Sequence, residues 1–464
     1  MEKKLSLLRV RGEDIMDASD IPVRLRGVCI GGWLNMENFI NGYPGVESRF
    51  RKAVHEALGE DKAQLFFTKM LDNFITDVDL RYIASLGATV VRVAINYRHF
   101  EDDLNPFNYK EEGFHYLDKL VNWCRSNGLY LILDMHAAPG WQNPDWHSDN
   151  PSRCVHLWED KLYQDRLVSL LETVARHYKD EPVIAGYNVL NEPVCGNPKA
   201  LNHVYRILTK AIRKVDADHI LFLEGDFYST RFDELDPPFD DNTVYSCHSY
   251  FPPGWSKCEY PGIVGGVQYD FAKLEEIYKS FSSFMRRHRV PNWVGEFGSA
   301  FWGPRYDRYG LKLVDDSISI FEKYKDHWTI WTYKDIGLMG LVYVRQDSEW
   351  MKRTQKIRLI KKKIGCDSWA QDSRFMLKLR EFAIKGLKRE LKDDKLQYNE
   401  FDVRLNKAIG GAFSEFILPL YAAQFKGMSD DEIDRMMKSF HFKNCIRRKG
   451  LEQVIKKHCK KATR

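Results

Sequence analysis

Eight short apolar runs rich in β-branched residues recur between residues 21 and 336, and longer amphipathic or loop segments separate them. This alternation is typical of βα units around a parallel sheet. We therefore predict an α/β fold, a (β/α)8 TIM barrel over residues 21–364. The alternative is an open doubly wound sheet, but residues 27–32 lack the GxGxxG order that often follows its first strand. The eight runs are residues 25–30, 89–95, 130–135, 183–190, 220–223, 243–247, 293–295 and 328–332.

Beyond Trp350 the apolar residues recur at helical spacing and the β-type runs disappear. Residues 351–464 hold 29 Lys and Arg against 14 Asp and Glu, a net charge of +15, which leaves −10 for the rest of the chain. We predict that residues 365–464 form a basic helical extension of three to five helices, with Pro419 interrupting an apolar stretch. This extension docks on the barrel or forms an oligomer contact, and residues 1–20 are a separate N-terminal segment.

The composition excludes several classes of protein. With 44% hydrophobic and 29% charged residues, the chain is too apolar to be disordered. The first 20 residues contain no apolar stretch typical of a signal peptide, and the nine cysteines form no CxxC pair, so we expect a cytoplasmic protein with free thiols. The basic residues of the extension alternate with apolar ones, which favours a solvated helix face over a nucleic-acid site.

Polar side chains occur at or just after the ends of the predicted strands, where a barrel of this kind carries its chemistry. Two of them are glutamates, Glu192 after the fourth strand and Glu296 at the end of the seventh. These strands lie on opposite sides of a ring of eight, so the two carboxyl groups face each other across its mouth. Paired carboxylates are what cleavage of a glycosidic bond requires, one neutral to protonate the leaving oxygen and one ionised. The alternative is a buried structural ion pair.

The strand-end residues together resemble a known family. The segment from about residue 24 to 334 is similar to glycoside hydrolase family 5, retaining β-glycosidases built on (β/α)8 barrels. The resemblance rests on seven features in the family's order, each at a predicted strand end. They are Arg92, His136, the tripeptide Asn191-Glu192-Pro193, His248 and Tyr250 in an H-x-Y pair, Glu296 followed by Phe-Gly, and Trp331. The segments at residues 27–34, 136–143 and 331–334 look like the exo-β-1,3-glucanase branch of that family.

The resemblance implies a role for each matching residue. Glu192 would be the general acid/base and Glu296 the nucleophile. Arg92 and Tyr250 would hold Glu296 ionised and aligned. The sugar-binding residues would be Asn191 at the 2-hydroxyl, His136 and His248 along the subsite, and Trp331 beneath it, because an indole face covers the C–H face of a pyranose. Trp33 and Trp141 lie near strand ends in the sequence and are further candidates for stacking on sugars.

We therefore expect a retaining glycoside hydrolase that cleaves β-glucosidic linkages in gluco-oligosaccharides or glucosides. Two alternatives change the substrate. One is a glycolipid of the glucosylceramide type, which the basic extension would bring the enzyme to at an anionic membrane surface, and the other is a β-mannoside. A third alternative is a carbohydrate-binding barrel without turnover. No HxH motif, phosphate-binding loop or GxSxG elbow occurs, so we expect no metal and no cofactor.

Overall fold

The computed structural model describes residues 5–366, 373–392 and 398–460, and for residues 398–404 and 406 it describes the backbone alone. The strands are β1 (Arg9–Arg11), β2 (Asp14–Met16), β3 (Arg26–Ile30), β4 (Val90–Asn96), β5 (Tyr130–Ala137), β6 (Ile184–Asn188), β7 (Ile220–Glu224), β8 (Thr243–His248), β9 (Gly262–Val264), β10 (Val267–Tyr269), β11 (Asn292–Glu296), β12 (His327–Ile330), β13 (Lys334–Asp335), β14 (Val342–Val344) and β15 (Cys445–Arg447).

The α-helices surround these strands. They are α1 (Asn38–Asn41), α2 (Glu47–Leu58), α3 (Glu60–Phe74), α4 (Asp77–Ser85), α5 (Glu111–Asn127), α6 (Lys161–Tyr178), α7 (Pro198–Val215), α8 (Asp226–Ser229), α9 (Pro252–Trp255), α10 (Phe271–Phe281), α11 (Ser283–His288), α12 (Asp307–Lys323), α13 (Glu349–Ile364), α14 (Arg374–Leu391), α15 (Tyr398–Ala422), α16 (Asp430–Met437) and α17 (Lys449–Lys460). Within the described ranges, none of these helices is both long and apolar enough to cross a bilayer.

Eight parallel strands close into a barrel in the order β3, β4, β5, β6, β7, β8, β11, β12, and β12 returns to pair with β3. Each corresponds to one of the eight predicted runs, so the prediction of a TIM barrel is confirmed. Every residue of these strands is buried, because helices cover the outside and side chains fill the inside. The predicted strands differ from the observed ones by only a few residues at their ends.

The N-terminal segment forms the antiparallel pair β1 and β2, which lies against the amino ends of the barrel strands. The amide of Val10 donates to the side-chain oxygen of Asn242, just before β8, and the hydroxyl of Tyr130, at the start of β5, donates to the carbonyl of Ser6. Leu8 and Ile15 are buried beneath this pair. The segment therefore covers the end of the barrel opposite the site described below.

The C-terminal region packs on the barrel helices. In the described part of the region after residue 364 there are four α-helices, of which α15 packs on α2, α16 on α3 and α17 on α12.

The expectation that strands end before this region was wrong, because β15 pairs with β14. Pro419 was expected to interrupt the apolar stretch but lies inside α15, three residues before its end. Three apolar runs in 21–364 outside the barrel are also short strands, β9, β10 and β14.

Candidate active site

The carboxyl ends of six barrel strands bring charged and polar side chains to one place. Arg92 on β4 is fully buried and lies at its centre. Its guanidinium donates to Asn188 on β6 and to Asn191 just after that strand, with an Nη2 to Oδ1 distance of 2.7 Å for Asn191. It also lies 3.1 Å from an oxygen of Asp134 on β5 and 3.4 Å from one of Glu224 on β7. A buried cation surrounded by acceptors fixes the positions of the groups around it.

Glu296, the last residue of β11, is held by two donors. Nη1 of Arg92 donates to its Oε1 at 2.5 Å, and the hydroxyl of Tyr250 donates to its Oε2 at 2.9 Å. These are the contacts that the family resemblance implied for Arg92 and Tyr250. Both oxygens of Glu296 therefore accept hydrogen bonds from fixed groups, and its side chain cannot turn without losing them.

Glu192 lies beyond β6 in a left-handed backbone conformation, with φ of 46°. Its amide donates to Oε2 of Glu224 at 2.7 Å, which fixes the turn. Nδ1 of His248 lies 2.6 Å from Oε1 of Glu192, and Nε2 of His147 lies 3.2 Å from Oε2. Each oxygen of Glu192 thus has a histidine beside it.

The two glutamates come close together. An oxygen of Glu192, an oxygen of Glu296 and a ring nitrogen of His248 all lie within 4.8 Å of one another. The side chain of Glu192 is 12% exposed and that of Glu296 is 6% exposed, so both reach the mouth of the barrel. Within the described residues this is the one such group of metal-ligating side chains. Arg92 and the two histidines place proton-donating groups beside both carboxylates.

The charges around Glu192 and His248 shift the pKa values of these two side chains in opposite directions. Burial opposes ionisation, but the hydrogen bonds from His147 and His248 hold the pKa of Glu192 well below its usual range. Burial also opposes the charged form of His248, yet Glu224 and Glu296 raise its pKa to about 10. These surroundings therefore favour the ionised form of Glu192 and the protonated form of His248.

His136 and Trp331 form a flat wall of the site. Their rings stack with centroids 5.2 Å apart and an angle of 2° between the planes. Nδ1 of His136 lies 2.7 Å from an oxygen of Asp134, and its Nε2 lies 3.4 Å from the side-chain nitrogen Nδ2 of Asn191. A Cβ at Gly31 would lie 2.6 Å from the Trp331 ring, so only glycine there leaves room for that indole.

Trp33, predicted to stack on a sugar, does not lie in the site, and this prediction is corrected. Its side chain is buried, its indole N–H donates to the carbonyl of Leu71 on α3, and its ring packs edge-on against Tyr116 on α5. These contacts place the indole between α3 and α5, although Glu37, four residues further on, reaches the site. Trp141 is half-buried, and its ring contact is with His156 in the same loop. Its role stays a prediction.

Sequence reasoning assigned no role to four residues that the fold brings to the site: Glu37, His147, Asn188 and Glu224. Oε1 of Glu37 lies 3.5 Å from Nε2 of His136, and Oε2 accepts from the Trp146 indole. Glu224 ends β7, and its position at a strand end was the signal that could have found it. Glu37 and His147 lie in loops, and no periodic pattern indicates where a loop residue points.

Comparison with known proteins agrees with this geometry. Residues 59–337 match the family model described as Cellulase (glycosyl hydrolase family 5). The chain is 36% identical over 469 residues to a β-xylosidase of Phanerodontia chrysosporium. This match covers 97% of this chain and 98% of the relative. It is 29% identical over 308 residues to endoglucanase C of Acetivibrio thermocellus, covering 58% of this chain and 87% of that one.

A solved structure, that of an endogalactoceramidase, shares the fold with a TM-score of 0.53 at 20% identity, over 71% of this chain and 75% of that one. The barrel and the named relatives together define an O-glycosyl hydrolase that acts on β-linked carbohydrates. This chain belongs to glycosyl hydrolase family 5.

Proposed function

We propose that this protein is a retaining β-glycosidase, with Glu296 as nucleophile and Glu192 as general acid/base. The observation that carries the proposal is the separation of at most 4.8 Å between an oxygen of Glu192 and one of Glu296. Retaining enzymes place the two carboxyl groups about 5 to 5.5 Å apart, whereas inverting enzymes leave about 6.5 to 9.5 Å for a water molecule. The alternative role, a buried structural ion pair, would not require both glutamates to lie at the open end of the barrel.

In the first step an oxygen of Glu296 attacks the anomeric carbon as the bond to the leaving oxygen breaks, and Glu192 delivers a proton to that oxygen. Arg92 and Tyr250 hold Glu296 aimed at the anomeric carbon by two hydrogen bonds, so little reorganisation is needed. Nδ1 of His248 lies 2.6 Å from Oε1 of Glu192, so His248 can pass a proton to Glu192, which hands it to the leaving oxygen. In the second step Glu192 takes a proton from water, and the water oxygen displaces Glu296.

The substrate class we propose is a β-glucoside or a short β-linked gluco-oligosaccharide. The flat surface of Trp331 and His136 suits the C–H face of a pyranose. Relatives named glucan 1,3-β-glucosidase support a glucoside, and the relative named β-xylosidase makes a β-xyloside the first competitor. A xyloside lacks the hydroxymethyl group, so paired aryl β-glucoside and β-xyloside assays separate the two. A β-mannoside is the third arm of that screen.

The chemistry is tested with E296Q and E192Q. E296Q should lose activity about a thousandfold or more, because the amide is no nucleophile. E192Q should lower kcat/KM for an alkyl β-glucoside by about 10² to 10⁴, while kcat/KM for a dinitrophenyl β-glucoside, whose leaving group needs no proton, should change little. The matched control is E276Q, whose glutamate lies on α10 at the surface. An E296Q enzyme with most of its activity, or a first product of inverted anomeric configuration by NMR, would contradict the proposal.

A second candidate function is the cleavage of a glycolipid at an anionic membrane surface by the same two glutamates. The observation that favours it is α14, which exposes Phe375, Phe382, Leu387 and Leu391. The same helix carries six Lys and Arg against two Glu. Exposed apolar side chains beside basic ones are typical of helices that lie on anionic bilayers. We propose α14 as the contact with such a surface.

A further inference from the structure

The loop that follows β5, residues 138–160, is held by a side chain from outside the barrel. Lys407, on α15 in the C-terminal region, places its Nζ 2.7 Å from Oδ2 of Asp145 in that loop. The same nitrogen lies 3.1 Å from the hydroxyl of Tyr228, which follows β7. Asp145 is 1% exposed, so this is an ion pair between a buried carboxylate and a half-buried ammonium.

The anchored residue is connected to Glu192 through the loop. Oδ1 of Asn143 accepts from the amide of Asp145 at 3.0 Å, and Nδ2 of Asn143 donates to the carbonyl of Glu192 at 3.0 Å. Two residues after Asp145, His147 places Nε2 3.2 Å from Oε2 of Glu192. A displacement of Asp145 therefore moves both the backbone and the side-chain partners of Glu192.

A buried carboxylate without a cation is costly, so removal of Lys407 would force a rearrangement. Burial raises the pKa of Asp145, but Lys407, His147 and the hydroxyl of Tyr228 together outweigh it and lower that pKa, with Lys407 the largest of the three. Asp149, at the other side of the loop, has its own partners, since Arg98 donates to it at 3.0 Å and the hydroxyl of Ser48 at 2.8 Å. Loss of Lys407 would therefore free the Asp145 side of the loop while Asp149 stays held.

We propose that Lys407 is a positioning residue for acid catalysis, which acts through Asp145 and the loop to set His147 and Asn143 against Glu192. The helical region after the barrel thus completes the active site as well as packing on its outside. This inference rests on the proposed role of Glu192 as general acid/base.

The test is the leaving-group dependence of K407M in the full-length protein. Poor positioning of Glu192 should slow only the step that needs its proton. We expect kcat/KM for an alkyl β-glucoside to fall about tenfold and kcat/KM for a dinitrophenyl β-glucoside to change less than about twofold. K407R, which keeps the charge, should restore most of the loss. D145N should reproduce the loss, and the double variant should lose no more than either single one.

The matched control is K457M, which removes an ion pair of 2.7 Å between α17 and Asp315 on α12, away from the site. An equal fall for both substrates in K407M, or no fall for either, would overturn the inference. E192Q in the same assay separates the two proposals. If E192Q shows the leaving-group dependence and K407M does not, the role of Lys407 is wrong and that of Glu192 stands; if E192Q shows none, the proposed function itself fails.

Discussion

His248 lies between three carboxylates at the mouth of the barrel. Nδ1 is 2.6 Å from Glu192 and 3.8 Å from Glu296, while Nε2 is 3.4 Å from Glu224. A Cβ at residue 295 would lie 3.0 Å from Nε2, so Gly295 leaves the ring the space it occupies. Three nearby negative charges make this histidine hold its proton far more tightly than one in water.

This arrangement predicts a change in pH dependence for H248Q. The raised pKa keeps His248 protonated well above neutral pH, so the wild-type supply of the transferred proton persists into alkaline solution. In H248Q that supply is gone and Glu192 must hold the proton itself. We expect the alkaline limb of kcat/KM for an alkyl β-glucoside to move to lower pH by at least one unit. A limb that stays in place in H248Q would show that the proton does not come from His248.

Among the elements, α13 connects the barrel to the C-terminal region. Its Trp350 is fully buried, donates from its indole N–H to the carbonyl of Asn41 and packs against Phe66 of α3. On the other side it stacks on Phe425 and meets Phe440 edge-on, both beyond the barrel. One aromatic cluster thus joins both regions, which predicts that they unfold together.

We expect W350A to lower the free energy of unfolding by about 3 to 5 kcal/mol, the usual cost of removing a buried aromatic side chain. Urea unfolding followed by circular dichroism measures it, and a single transition should persist in the variant. F416A, which truncates a highly exposed aromatic on α15, should change stability by less than about 0.5 kcal/mol. Separate transitions for the barrel and the C-terminal helices would contradict this account.

At the scale of the whole molecule, charge is unevenly distributed. Residues 351–464 carry a net +15 and the rest of the chain −10, and α14 presents apolar side chains within the positive part. An anionic surface should therefore attract one side of the molecule and orient it.

The prediction is that the full-length protein co-sediments with vesicles containing phosphatidylserine and not with vesicles of phosphatidylcholine alone. Because opposite charges are screened by salt, binding should weaken between 50 and 500 mM salt, over which the Debye length falls from about 14 to about 4 Å. The double variant F375S/F382S should lose most of the binding. L104S, which removes an even more exposed apolar side chain from the loop after β4, should keep it. Equal binding by wild type and F375S/F382S would exclude α14 as the contact.

Much of the site could be predicted because it lies at strand ends. Glu192, His248 and Glu296 each occur at or just after the end of an apolar run, Arg92 lies within one, and a closed parallel barrel brings strand ends to one rim. Trp33 also follows a strand, yet it points between helices, since the direction of a side chain after the last strand residue depends on the turn. His147 and Lys407 lie outside the strands, and their partners are more than 40 residues away in the chain.

The amino-acid sequence by itself determined the barrel and the pair of glutamates, because apolar periodicity is a local property and the closure of eight parallel strands follows general rules. Only the tertiary structure decided which charged groups stand beside those glutamates, and that Lys407 reaches the loop beside Glu192. Both depend on charges that approach within a few ångströms from distant parts of the chain, and electrostatic energy depends on distance in space, not on separation in sequence.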